Sequence, residues 1–126
     1  MAAGEPAEVV ENYLNAIEQG NFDRARSCLS DVFIYIGPTA RFNDPESFIE
    51  NIWHVGQILH HIEIRKTFVD GNDVCSIMNF HVHFDEPRSV PVVQWTKVEA
   101  GKIRTIEVFF DATDYMAMFS RPSKQK

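Results

Sequence analysis

The chain has 126 residues, the length of a single domain at roughly 100–200 residues per domain. Hydrophobic residues make up 44% of it and charged residues 24%, as in a globular protein with a packed core. The net charge is −6, and three of the cations (Arg121, Lys124 and Lys126) lie in the last six residues, so residues 1–120 are more acidic still. This charge disfavours binding to nucleic acids and to anionic membranes, because both present phosphate groups.

Cysteine content and hydropathy indicate the compartment. Cys28 and Cys75 are too few for a disulfide framework and do not form a Cys-x-x-Cys pair. No apolar run approaches the ~20 residues of a membrane span, and the first residues lack the charged-then-apolar pattern of a signal peptide. We therefore expect a cytoplasmic protein in a reducing setting.

Three helices are predicted in the first half of the chain. Pro6 fits an early helical position and Gly20 a C-terminal stop, and the apolar residues between them form one stripe. Asn21 is a good N-cap for a short second helix. Asp44 and Pro45 open a third helix, whose apolar side is expected to turn inward: Phe48, Ile49, Ile52 and Trp53.

From about residue 58 the hydrophobic period changes to alternation, which indicates strands. The segment 70–72 (Asp-Gly-Asn) is a strong hairpin signal, and residues 99–102 form a second tight turn. Pro91 indicates an edge or a bulge near the start of its strand. The predicted strands are 33–36, 62–69, 74–84, 90–98 and 103–110, followed by a helical turn over 113–119 and a solvated tail over 121–126.

Helices followed by an antiparallel meander predict an α+β domain over residues 1–120, in which the helices cover one face of a curved sheet. Such a sheet can roll around its helices into a half-open cone. The mouth of that cone is a natural ligand pocket.

Four stretches resemble a known family. Residues 13–23 (YLNAIEQGNFD) resemble the first-helix motif of SnoaL-like proteins, in the nuclear transport factor 2-like superfamily. The others follow in the family's order: Ser30-Asp31, residues 42–45, and residues 101–103 leading to 109–111. The resemblance implies a cone-shaped α+β barrel, with a strongly curved antiparallel sheet wrapped around N-terminal helices, a deep pocket and a homodimer. It does not fix the function, because relatives include ketosteroid isomerase, limonene epoxide hydrolase, polyketide cyclase and non-catalytic modules.

The catalytic residues of ketosteroid isomerases are only partly present. Those enzymes use a helix-1 tyrosine and a protonated aspartate as oxyanion donors, and a second aspartate as base. Tyr13 matches the tyrosine. Gly37 stands at the base position and Val93 at the second donor position, so this resemblance does not imply that isomerisation.

The catalytic residues of limonene epoxide hydrolases are replaced. Those enzymes use an arginine between two aspartates to hold and activate a water. By counting from the turns, the arginine position is Asn79, and the two aspartate positions are His81 and Val108. What the resemblance still implies is the location of polar side chains on inward strand positions.

One predicted strand has two different faces. Asn79, His81 and His83 alternate with apolar residues, so one face is polar and the other apolar. The apolar face can turn to the core, which leaves the histidines in water. The family analogy instead turns the polar residues into the cavity and has a second subunit cover Phe80 and Val82. We expect the second arrangement, because an apolar strip exposed without a partner would be a sticky patch.

His81 and His83 also have the spacing of two metal ligands on one strand face. A catalytic zinc site usually needs a third protein ligand, and the candidates are His54, His60 and His61. Nothing in the spacing selects one of them, so we expect neither a metal nor another cofactor.

These observations predict a homodimer whose mainly apolar pocket binds a small, uncharged, hydrophobic molecule. An isomerase-, cyclase- or hydratase-type reaction would use His81 as acid and base, with Asn79 and Tyr13 as hydrogen-bond donors. Tyr13 also fits a core position, and Asp111 fits either a helper acid at the rim or a cap of the following turn. The expected ligand-binding residues are His83, Trp53, Val93, Trp95, Ile106, Val108 and Phe110.

The alternative is a non-catalytic module. It would store a ligand in the pocket or recruit a partner through the apolar face of the sheet. The missing carboxylate bases favour this alternative, whereas the polar residues Asn79, His81 and His83 favour an enzyme.

Overall fold

The computed structural model describes residues 5–83 and 85–113. Three helices precede or interrupt the strands: α1 (Pro6–Gln19), α2 (Phe22–Ser27) and α3 (Pro45–Gly56). Six strands form one sheet: β1 (Leu29–Ile36), β2 (Arg41–Phe42), β3 (Leu59–Asp70), β4 (Asp73–His83), β5 (Pro87–Glu99) and β6 (Lys102–Phe110).

The sheet is open, with the strand order β2-β1-β6-β5-β4-β3. Its pairs are antiparallel, except that β1 runs parallel to β6, which the sequence pattern did not indicate. Register shifts in the β1–β6, β3–β4 and β5–β6 pairs are bulges of the kind that bend strands. The predicted α+β class, with helices on a curved sheet, is confirmed.

Local chemistry sets the helix ends as predicted. Pro6 begins α1, and Gly20 ends it with a φ of +73°, in the left-handed region that glycine tolerates. The side chain of Asn21 accepts a hydrogen bond from the Arg24 amide at the start of α2. Asp44 does the same for the Ser47 amide of α3, at 2.8 Å.

The turns and the proline also follow their predicted positions. Gly71 in the first hairpin has a φ of +61°, and Ala100 and Gly101 in the second have φ values of +52° and +76°. Pro91 lies inside β5, but the pairing of β5 with β6 begins only at Val92. At Pro91 the strand is therefore a local edge, where the missing N–H costs no ladder bond.

The helices pack on one side of the sheet, which we call the inner face. Its alternating positions on β4 and β5 are buried, among them Val74, Met78, Val92 and Val98. The other side, the outer face, carries no helix among the described residues. Of the described helices, none combines the length and apolar character needed to cross a bilayer.

The predicted orientation of β4 is wrong. Met78 and Val82 are buried and Phe80 packs against the core, so Asn79, His81 and His83 lie on the outer face. Burying a large apolar side chain contributes about 1.5–3 kcal/mol. The reverse orientation would instead desolvate an amide and two imidazoles.

Other expected positions change for related reasons. Because paired residues of antiparallel strands share a face, Val93 and Trp95 lie outward with their β4 partners Ile77 and Cys75. Trp53 is 49% exposed instead of inward. The predicted strand residue Phe84, the turn over 113–119 beyond Thr113, and the tail over 121–126 lie outside the described residues.

Candidate ligand cavity

A cavity of about 100 Å³ lies between the inner face, α1 and α3. Its walls are mainly apolar because the inner positions of the sheet and the inward stripes of the two helices meet there. The apolar lining comes from Leu14, Ile17, Phe48, Ile52, Val55, Phe80, Val82, Val90, Val92, Val108 and Phe110, among others.

The polar side chains of the described lining are uncharged: Tyr13, Tyr35, Thr39, Asn51 and Gln94. Such a lining suits an uncharged molecule, since a charged one would lose its hydration without gaining an ionic partner.

Tyr13 places a phenol in this cavity from the buried stripe of α1. The residue is only 3% exposed, and its hydroxyl makes no hydrogen bond with any described residue. Burial raises the pKa of Tyr13 well above its ordinary value, with smaller contributions from Tyr35 and Cys28. The hydroxyl is therefore protonated at physiological pH and is available as a hydrogen-bond donor to an occupant of the cavity.

Gln94 supplies a second polar group, from an inner position of β5. It is also 3% exposed, and its Nε2 donates to Oγ1 of Thr96 at 3.0 Å. Its carboxamide oxygen has no partner within the described part of the chain. Gln94 was not predicted from the sequence as a cavity residue, because a polar residue in an alternating strand is more often on the solvent side.

Aromatic rings form the wall near Tyr35. The Tyr35 and Phe48 rings stack with centroids 4.7 Å apart, and Phe42 lies 5.9 Å from Tyr35. A Cβ atom at Gly37 would lie 2.6 Å from the Tyr35 hydroxyl oxygen. Gly37 thus permits the position of Tyr35, a role that its place in a Gly-Pro turn did not reveal.

A polar cluster occupies the outer face, away from the cavity. His81 Nε2 lies 2.9 Å from Glu63 Oε1, to which Asn79 also donates at 3.4 Å. Both hydrogen bonds lower the pKa of Glu63, and the bond with His81 has the larger effect. The His81 ring stacks on that of His61 with centroids 5.8 Å apart. At the β3 edge of the sheet, His61 Nδ1 lies 3.2 Å from Oε1 of Glu18, which belongs to α1.

The remaining predicted site residues divide between the two faces. Val108 and Phe110 line the cavity, and Ile106 is fully buried on the same face. Among the residues from 5 to 83 and from 85 to 113, no group of His, Cys, Asp or Glu is placed to hold a metal ion.

Asp111, the predicted helper acid, is an exposed residue that does not line the cavity. Its carboxylate accepts a hydrogen bond from the backbone amide of Thr113 at 3.0 Å. This is the capping arrangement that the sequence left open as its alternative role.

Comparison with known sequences gives one family. The sequence model of the SnoaL-like domain matches residues 10–106. No curated protein matches the chain.

Solved structures share the fold at low sequence identity. A nuclear transport factor 2-like protein of unknown function from Cytophaga hutchinsonii has a TM-score of 0.77 at 21% identity, over 88% of this chain and 94% of that one. A protein from Catenulispora acidiphila with a ketosteroid isomerase-like fold, in complex with trimethylamine, has a TM-score of 0.77 at 16% identity, over 91% and 94%. An epoxide hydrolase from M. tuberculosis, similar to limonene epoxide hydrolase, has a TM-score of 0.72 at 20% identity, over 89% and 84%.

Proposed function

The chain belongs to the SnoaL-like domain family, and from this premise we propose that it binds a small, uncharged, mainly apolar molecule in the cavity. The observation that carries the proposal is the Tyr13 hydroxyl, buried among apolar walls with no hydrogen-bond partner in the described residues. A hydrogen bond from this hydroxyl to an acceptor atom of a ligand would contribute about 0.5–1.5 kcal/mol net.

The size of the cavity supports a small ligand. A cavity of about 150 Å³ lined by apolar side chains is large enough for benzene, and this one measures about 100 Å³. The Catenulispora acidiphila protein was solved with trimethylamine, which is a molecule of comparably small size. For this chain we infer an uncharged ligand, because the described polar lining is uncharged.

Binding is the proposed function, and His81 has no catalytic part in it. The His81 imidazole bonds to Glu63 on the outer face, on the opposite side of β4 from the cavity. An isomerase-, cyclase- or hydratase-type reaction in this cavity would use the Tyr13 hydroxyl as its donor, in place of an imidazole.

Cyclopentanone, a small ketone, tests the proposal. Titration of ¹⁵N-labelled protein is expected to shift the amide resonances of Tyr13 and Val108 in a saturable manner. In Val92→Phe, the added ring fills the cavity and is expected to weaken binding at least about tenfold, by analogy with overpacked cores. Ser89→Phe places the same ring on the outer face of the same strand and is the matched control. Equal affinity in the wild type and Val92→Phe would refute the cavity as the binding site.

We further propose that the outer face pairs with a second copy of the chain. Phe68, Trp95 and Phe109 are exposed there around one shallow groove, and monomeric proteins rarely expose a large contiguous apolar patch. Asp73 and Lys97 lie beside the patch with opposite charges, which suits a surface that faces its own copy across a twofold axis.

Two tryptophan substitutions test this dimer. Trp95 is 45% exposed on the outer face and Trp53 is 49% exposed on α3, so Trp95→Glu and Trp53→Glu add the same charge at similar exposure. Light scattering is expected to give a dimer for the wild type and Trp53→Glu, and a monomer for Trp95→Glu. A wild-type monomer, or a dimer that survives Trp95→Glu, contradicts the proposed interface.

A further inference from the structure

The cavity contains a hydrogen-bond acceptor as well as the Tyr13 donor. Gln94 is 3% exposed and lies in the cavity wall, between Ser76 of β4 and Val108 of β6 in the strand ladder. A carboxamide has two N–H donors and an oxygen that accepts up to two bonds. The nitrogen is engaged with Thr96 at 3.0 Å, whereas the oxygen bonds to no described residue.

In the structure the amide nitrogen of Gln94 faces Thr96 Oγ1. Thr96 is completely buried, and it lies two residues along β5 on the same inner face. Because the nitrogen is turned towards Thr96, the oxygen is the free end of the side chain in the cavity wall. The Gln94 oxygen is therefore placed to accept a hydrogen bond from a ligand in the cavity.

We propose that Gln94 is the specificity-determining residue of the cavity, and that it selects small uncharged molecules that carry an N–H or O–H group. This inference rests on the proposed binding function and narrows its ligand class. The apolar walls accept any small molecule of suitable shape, and the Gln94 oxygen favours those that donate a hydrogen bond. The Tyr13 hydroxyl donates to ligands that carry an acceptor. A ligand with a hydroxyl or a secondary amide group therefore bonds to both Tyr13 and Gln94.

Pyrrole and furan are the matched probes for this selection. Both are flat five-membered aromatic rings, but pyrrole carries an N–H donor and furan does not. One hydrogen bond contributes about 0.5–1.5 kcal/mol net, so the wild type is expected to bind pyrrole about 2–10 times more tightly than furan. In Gln94→Met, the new side chain has a similar length and no carbonyl. The ratio of pyrrole affinity to furan affinity is then expected to fall to about one, while furan binding is retained.

Ser89→Met is the matched control, because it places the same side chain on the outer face of the same strand. It is expected to leave the preference for pyrrole unchanged. A preference that survives Gln94→Met, or that disappears in Ser89→Met, overturns the assignment to Gln94.

A measurement on the wild type does not depend on the folding of the variants. In crystals soaked with pyrrole, the ring nitrogen is expected within hydrogen-bond distance of Gln94 Oε1. A ring nitrogen that faces another group overturns the proposal. If pyrrole and furan bind equally well, only the role of Gln94 fails, whereas if neither they nor cyclopentanone binds, the proposed function fails with it.

Discussion

His81 and Glu63 form a hydrogen-bonded pair on adjacent strands, with 2.9 Å between His81 Nε2 and Glu63 Oε1. The pair lies on the outer face, so the imidazole that the sequence placed in the cavity instead stabilises the edge of the sheet. Asn79 donates to the same carboxylate oxygen. Both contacts favour the ionised form of Glu63 and lower its pKa.

This pair predicts an acid-dependent loss of stability. The pKa of Glu63 is lower in the folded protein than its ordinary value of 4.5, so its contribution is present above that value and is lost as pH falls through the lowered pKa. The wild type is expected to be more stable than Glu63→Gln at about pH 5.5, and the difference is expected to shrink towards pH 3. Urea unfolding across this range measures it.

The control for the acid effect is Glu50→Gln, which removes an exposed carboxylate from α3. It gives the reference for the loss of one carboxylate charge without the contacts to His81 and Asn79. A stability difference for Glu63→Gln that stays constant over the whole range would contradict the linkage.

Tyr13→Phe is expected to change stability and binding in opposite directions. The substitution removes a buried hydroxyl that has no partner in the described residues, so the free energy of unfolding should stay equal or rise by up to about 1 kcal/mol. The affinity for cyclopentanone should fall about 2–10-fold, because one hydrogen bond to the ketone is lost. Thermal unfolding and the NMR titration measure the two effects. A clearly destabilised Tyr13→Phe protein would show that the hydroxyl has a structural partner.

Helix ends and turns could be predicted from the sequence because their chemistry is local. Pro6, Gly20 and Asp44 each act within one turn of their own positions, and no distant contact decides their role. The hairpin at Gly71 follows from the same kind of short-range signal.

The side of the sheet that each strand residue faces could not be predicted with the same security. Alternation in β4 defines two faces but does not say which one the helices cover, and an error of one residue in counting from a relative reverses every side chain. For the same reason, the face of the sheet on which Gln94 lies could not be predicted. Its place on the inner face follows from its ladder partners Ser76 and Val108, which no local pattern reveals.

Gly37→Ala is expected to displace Tyr35 and destabilise the protein. The new Cβ would lie 2.6 Å from the Tyr35 hydroxyl oxygen and 3.0 Å from two ring carbons. Overpacking of this kind costs about 1–3 kcal/mol. In a Tyr35→Phe background the hydroxyl oxygen is absent, so Gly37→Ala should destabilise the protein less. A double-mutant cycle of unfolding free energies measures the difference. If the costs of Gly37→Ala and Tyr35→Phe were additive, the contact with the Tyr35 hydroxyl would not be the cause of the destabilisation by Gly37→Ala.

The orientation of β4 gives a direct test by neighbouring alanine substitutions. Phe80 lines the cavity and packs against the core, so Phe80→Ala is expected to lower the free energy of unfolding by about 2–4 kcal/mol. His81→Ala removes a half-exposed side chain on the outer face, and its cost is expected to stay within about 1 kcal/mol. Urea denaturation at neutral pH compares the two variants. If His81→Ala were the more damaging, the imidazole would belong to the interior, and Phe80 would not line the cavity.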